Sequence, residues 1–163
     1  MLLEILIEGK TEGMFRDPVV LQAMEKIDHV VRELYPDLVI RSWSMNNYIK
    51  QTHQKLMNNS IKSYSLPEDR SFVSQILILT ESGNNENLER FVSNDYADAR
   101  MSISTRTIGS KESVEILQTL QPKINEILNP LKKNYPSIKG TLTGGVGTWA
   151  RIFDAISWSQ IRS

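Results

Sequence analysis

The segment Gly140-Thr-Leu-Thr-Gly-Gly-Val-Gly-Thr-Trp-Ala150 contains the residue types from which phosphate-binding loops are made. Gly140 and Gly145 have the separation of the glycines in a Walker A loop. Val146-Gly147, however, stands where Lys and Ser/Thr belong, so there is no point charge for terminal phosphates. Gly145-x-Gly147-x-x-Ala150 also matches a loose dinucleotide fingerprint between an expected strand and an expected helix. Only 13 residues follow Ala150, with no second strand and no acidic residue about 20 positions on to hold a ribose. The glycines read better as a tight turn that lets the next helix cross close to the sheet.

The other chemistry-bearing residues are scattered. His29 and His53 fall on separate expected helices, and neither has a second ligand at helical spacing, so both read as surface histidines. Asp95 and Asp98 sit in an expected hairpin loop. Two carboxylates three apart can touch a cation, but turn chemistry explains them better. There is no Gly-x-Ser-x-Gly elbow. The absence of Cys from the sequence excludes disulfides, thiolate zinc sites and thiol catalysis. No nucleophile, base and oxyanion donor come together. The reading is therefore of a protein that is not an enzyme. It assigns no catalytic, metal-ligating or cofactor-binding residue, expects no cofactor, and leaves the substrate-binding residues open.

Composition narrows the remaining classes. A length of 163 residues with 40% hydrophobic content supports one cored domain. Lys+Arg and Asp+Glu balance at 19 each, which argues against a nucleic-acid partner, since that would need a cationic excess. No stretch approaches the roughly 20 apolar residues that span a bilayer. Met1-Leu-Leu-Glu lacks the basic start and apolar core of a signal peptide.

Periodicity then supplies the elements. Leu2–Ile7 alternates as a strand. Asp17-Pro18 reads as a cap and first helical residue before the apolar stripe of Val19–Leu34. Tyr35-Pro-Asp ends that helix, and Leu38–Trp43 is a second strand, parallel to the first through a crossover. Residues 44–83 form an expected helical insertion. Ser44 caps its first helix, and the ambiguous run Ser71–Ser82 is taken as a second helix closed by Gly83. Leu88–Ser93 and Ala99–Arg106 alternate on either side of a short turn and read as a hairpin. Ser110 is expected to cap a long helix over Glu112–Lys133, which Pro122 and Pro130 must kink or split. Ile138–Thr143 is the last strand. The fold class is α+β: a ferredoxin-like split β-α-β sandwich carrying the inserted helical pair and one extra hairpin strand. Val19–Leu34 and Glu112–Lys133 should cover one face of its sheet.

The last segment is expected to be a helix with Trp149, Phe153, Ile156 and Gln160 on one face, and no Gly, Asn or Pro closes it. Trp149 is expected in the core and Trp158 near the end of a piece of a longer protein.

Three stretches also carry a resemblance: Ser74-Gln-Ile-Leu-Ile-Leu-Thr-Glu-Ser-Gly83, Phe91-Val-Ser-Asn-Asp-Tyr-Ala-Asp-Ala-Arg-Met-Ser-Ile-Ser104, and Leu142-Thr-Gly-Gly145 with its helix. In order and spacing they resemble the large extracytoplasmic loops of resistance-nodulation-cell division (RND) exporters, of the lipid-handling MMPL-like and Patched-like branch. Asp17-Pro-Val-Val-Leu21, Val39–Trp43 and Tyr48-Ile-Lys50 fit the same loop in the same order, and the second loop of such exporters is favoured. The resemblance implies a single periplasmic porter-type domain over 1–163 of an inner-membrane, proton-driven transport protein. Its chemistry would be conformational change and apolar contact with a hydrophobic or lipid substrate. The implied partners are the rest of its own transmembrane chain, the paired porter loop and other transporter subunits. The proton-relay carboxylates of the family lie in the membrane part, and no catalytic residue carries over. The alternative is a stand-alone ferredoxin-like sensor that binds a small ligand at the glycine turn.

The glycine segment generates the first prediction. Calorimetric titration of the purified chain with ATP or NAD should show no saturable heat. A dissociation constant in the micromolar range would overturn the reading of these glycines and favour the sensor.

Overall fold

The computed structural model describes residues 1–83 and 87–143. Gly145, Gly147, Ala150 and the expected terminal helix over 146–163, with Trp149 and Trp158, lie outside the described residues. The rest is α+β: β1 (Leu2–Glu8), α1 (Pro18–Leu34), β2 (Val39–Trp43), α2 (Met45–Leu56), α3 (Arg70–Ser82), β3 (Asp98–Thr105), α4 (Ser110–Leu128) and β4 (Lys139–Thr143).

The four strands form one sheet in the order β2-β3-β1-β4, and every neighbouring pair is antiparallel. β1 and β2 therefore run parallel with β3 between them, as a split β-α-β unit requires. The register follows from alternation. Leu3, Ile5 and Ile7 of β1, Met101 and Ile103 of β3 and Leu142 of β4 point to one face and are at most 1% exposed. Helices α1 and α4 lie side by side over that face. Val20, Ala23, Met24, Ile27 and Val31 of α1 meet Ile116, Leu120, Ile124 and Leu128 of α4 in one continuous core. Each fully buried aliphatic chain contributes about 1.5–3 kcal/mol of transfer free energy, which is why a slip of one residue in β1 is forbidden.

Local signals set most boundaries. Asp17 caps α1 by accepting from the Val19 amide at 3.0 Å, with Pro18 at the first helical position. Ser44 caps α2 within a capping box completed by Asn47, whose Oδ1 accepts from the Ser44 amide at 2.9 Å. Asp69 caps α3 by accepting from the Phe72 amide at 2.8 Å, and Gly83 follows its last turn. The insertion docks on α1 through polar contacts as well as packing. Asn46 Nδ2 donates to the Leu21 carbonyl at 2.9 Å, and Lys50 Nζ lies 2.6 Å from Glu25 Oε1.

Three expectations are corrected. Leu88–Ser93 is not a strand: Leu88–Arg90 is a 3-10 turn, and only Val92 bridges to Ala99. The edge of β3 that a hairpin partner would extend along is already taken, since β2 pairs with Ser102–Thr105 from Trp43 to Val39. The cap of α4 falls on Gly109, one residue before Ser110. Finally, α4 runs continuously through Pro122, and the break comes at Pro130, which opens the 3-10 segment Asn129–Lys133. Pro122 lies on the exposed side, and Gln118, whose carbonyl loses its helical donor, is exposed too, so water can satisfy it.

Gly140 belongs to this packing, not to a phosphate loop. It lies within β4, and a Cβ there would stand 2.5 Å from Ile124 Cγ2 and 2.7 Å from Leu128 Cδ1. The missing side chain sets how closely α4 approaches the sheet. Gly140→Ala should destabilise the chain by about 1–3 kcal/mol in chemical denaturation, the usual cost of overpacking. Adding Ile124→Val should recover part of the loss. A change under about 0.5 kcal/mol would mean that α4 is free to shift and the contact is not limiting.

Candidate functional site: the uncovered face of the sheet

The second face of the sheet carries no helix among the described residues. The same alternation that buries Ile5 turns Glu4 and Leu6 of β1 outward, with Arg100, Ser102 and Ser104 of β3, Thr141 and Thr143 of β4, and Arg41 and Trp43 of β2. All but the exposed Arg41 are half-buried. Glu4 is held by Arg100 at 3.6 Å and receives the Ser102 hydroxyl at 3.5 Å.

Aromatic rings collect at the β2 edge of this face. Trp43 meets Tyr48 of α2 edge to face, with centroids 5.8 Å apart, and Tyr48 meets Phe91 at 5.9 Å. The Arg41 guanidinium covers Trp43 with its centre 4.6 Å from the ring centroid. These side chains, with Arg90, Ser102 and Ser104, line a cavity of about 410 Å³. Phe91 and Arg90 also border an adjoining hollow of about 300 Å³ that reaches Leu6 and Val92. Arg100 fixes that border by donating twice to the Arg90 carbonyl, at 2.9 and 2.6 Å.

At one end of the sheet, two loops brace each other. Gly13, with φ of 75°, donates to the Asp95 carbonyl at 2.8 Å and accepts from Arg70 Nη2 at 3.1 Å. Tyr96 also has positive φ, 55°, a conformation that costs a non-glycine residue about 1–2 kcal/mol. It is held there because its carbonyl accepts from Phe15, its hydroxyl donates to Glu81 of α3, and Arg16 covers its ring at 4.7 Å. Tyr135 Oη donates to Asp17 Oδ2 at 2.7 Å and ties the capped end of α1 to the segment before β4.

The residues singled out in the sequence do not converge. His29 is exposed beside Glu33 at 3.8 Å. His53 meets the Ser65 carbonyl through Nδ1 at 2.8 Å and packs edge-on against Phe72. Asp95 accepts from the Ser93 hydroxyl at 2.6 Å and the Ala97 amide at 3.1 Å, and these bonds hold its carboxyl below the ordinary range. Asp98 accepts from the Gly9 amide at 3.3 Å. Both aspartates therefore perform turn chemistry. Among the described residues no group of three or more His, Cys, Asp or Glu is placed to hold a metal ion. The aromatic–arginine cavity escaped the sequence reading because its residues come from β2, α2, the turn before β3 and β3 itself. Only Arg41 and Trp43, two apart on one strand, carry a local signal.

Comparison with protein-family models, with curated proteins and with solved structures gives no match.

The loop brace generates a prediction with a defined sign. Burial, and then the Glu81 carboxylate, raise the Tyr96 phenol well above its ordinary value of 10.0. A raised folded-state value means that the contribution is complete below the unfolded value and is lost as pH rises through the folded one. Tyr96→Phe should cost about 1–3 kcal/mol at pH 7 and flatten the decline of stability above pH ~10. Urea denaturation at neutral and alkaline pH reads both effects. An unchanged alkaline slope would contradict the role given to the phenol.

Proposed function

We propose that this chain is an extracytoplasmic porter-type domain of an RND-like, proton-driven exporter, guiding a hydrophobic or lipid substrate by conformational change. The observation that carries the reading is how the stretches bearing the resemblance sit in the fold. Ser74–Gly83 covers most of α3 with its closing glycine, and Phe91–Ser104 is the braced loop with most of β3. They meet where Tyr96 donates to Glu81, and Phe15, just before the Asp17–Leu21 segment, donates to the Tyr96 carbonyl. Segments far apart in sequence that carry the resemblance thus meet in one structural unit. No described helix is long and apolar enough to cross a membrane, so on this reading the membrane part and its proton relay belong to other segments.

A substrate-guiding domain needs a rigid body and a surface on which something can slide or dock. The helix-covered face supplies the rigidity, and the half-buried face with its aromatic edge supplies the surface. Bond-making chemistry has no part in this proposal.

The sequence offers a clean test of location, because it contains no Cys. Lys62 is exposed on the insertion, so Lys62→Cys gives a single reporter in this segment. In intact cells making the full-length protein, a membrane-impermeant maleimide should label Lys62→Cys and leave the parent protein unlabelled at this segment. Labelling only after lysis would place the domain in the cytoplasm and end the exporter reading.

A further inference from the structure

We propose that the aromatic–arginine cavity, on the sheet face that carries no helix among the described residues, binds an amphiphile with a phosphate or carboxylate head and an apolar body. The inference goes beyond the export reading and does not rest on it, since a stand-alone binding protein would use the same cavity.

The volume of about 410 Å³ falls in the range of small-molecule sites. Its apolar wall is the chain of rings Trp43, Tyr48 and Phe91. Its charge comes from Arg41 and Arg90. No Asp or Glu lines it, and neither guanidinium has an ion-pair partner among the described residues. Guanidinium groups beside the Ser104 hydroxyl present donors suited to a planar or tetrahedral anion. Glu4, on the neighbouring strand, is already engaged by Arg100 and Ser102.

Charge also fixes the orientation of the ligand. The adjoining hollow of about 300 Å³ shares Arg90 and Phe91 but adds Glu89 and Asp98, which would repel an anion, while its further cation, Arg100, is already engaged by Glu4 and the Arg90 carbonyl. The head therefore lies between Arg41 and Arg90, and the apolar body crosses Phe91 toward Leu6 and Val92. The larger hollow beside α1, about 630 Å³, has no such preference. Its acidic and basic residues balance, and four of them are paired, Lys50 with Glu25 at 2.6 Å and Arg32 with Asp28 at 2.9 Å.

A single-stranded nucleic acid would need flat ring faces open for successive bases. Here the Trp43 and Tyr48 planes meet at 89°, and Arg41 covers one face of Trp43. The middle strands offer Glu4, Leu6 and Ser102, not aromatic platforms. Geometry thus favours the amphiphile.

The test is calorimetric titration of the whole 163-residue chain with octyl phosphate below its micelle-forming concentration. Inorganic phosphate, octyl glucoside and a ten-residue oligothymidylate are run in parallel. Octyl phosphate should bind saturably, and inorganic phosphate and octyl glucoside should each bind about tenfold more weakly or worse. Arg41→Gln and Arg90→Gln change exposed side chains, so their circular dichroism should match the parent. Each should weaken octyl phosphate about tenfold while leaving octyl glucoside unchanged. Equal binding of octyl phosphate and octyl glucoside would overturn the proposal, as would unchanged affinity in the double Arg variant or no saturable binding. Tighter binding of the oligothymidylate than of octyl phosphate would assign the cavity to nucleic acid instead.

Discussion

The central strand β1 has a neighbour on each side and must satisfy both, and the rest of the molecule follows from that constraint. Leu3, Ile5 and Ile7 are buried beneath α1 and α4, so every other residue of β1 is committed to the opposite face. Pairing then propagates the commitment. Met101 and Ile103 on one side and Leu142 on the other must follow Ile5 inward, which sends Arg100, Ser102, Thr141 and Thr143 outward. One packing decision therefore creates both the core and the open face. Gly140 completes it by letting α4 come close enough to seal the core over β4.

The inserted helices extend the closed side, and α2 reaches the other face only at its β2 edge, through Tyr48. Asn46 and Lys50 hold α2 against α1, and Arg70 and Glu81 of α3 reach the loops at the sheet end. The strained backbone at Tyr96 is tolerated because carbonyl, hydroxyl and ring are all engaged at once. The outcome is a rigid layer behind a polar and aromatic surface. That division of labour suits a domain that handles a partner or an amphipathic ligand without transforming it.

What could be read from the sequence follows the range of the interactions involved. The caps at Asp17 and Ser44, the closing Gly83 and the alternation of β1 and β3 depend on residues within a turn of one another, and they stand where the pattern puts them. The run around Ile76–Leu79 is ambiguous by periodicity alone. In the fold, Val73, Ile76, Leu77 and Thr80 are buried at helical spacing, while Ile78 and Leu79 face outward. Leu88–Ser93 misleads because alternation cannot report that β2 already holds the partner edge. Pro122 does not split α4, because the cost of a lost donor depends on exposure, which the sequence does not state. The aromatic cavity depends on four segments meeting, and only the Arg41–Trp43 pair is local.

Among the described residues the sheet has one sealed face and one without a covering layer, and a soluble paramagnetic probe tests that division directly. Added gadolinium chelate should broaden the methyl resonances of Leu6 and the indole resonance of Trp43. The methyls of Ile5, Ile7 and Ile103, each 0% exposed, should keep their intensity. If Leu6 and Trp43 were protected to the same degree as Ile5, a second layer would cover the sheet. The open-face account, and the binding surface built on it, would then be wrong.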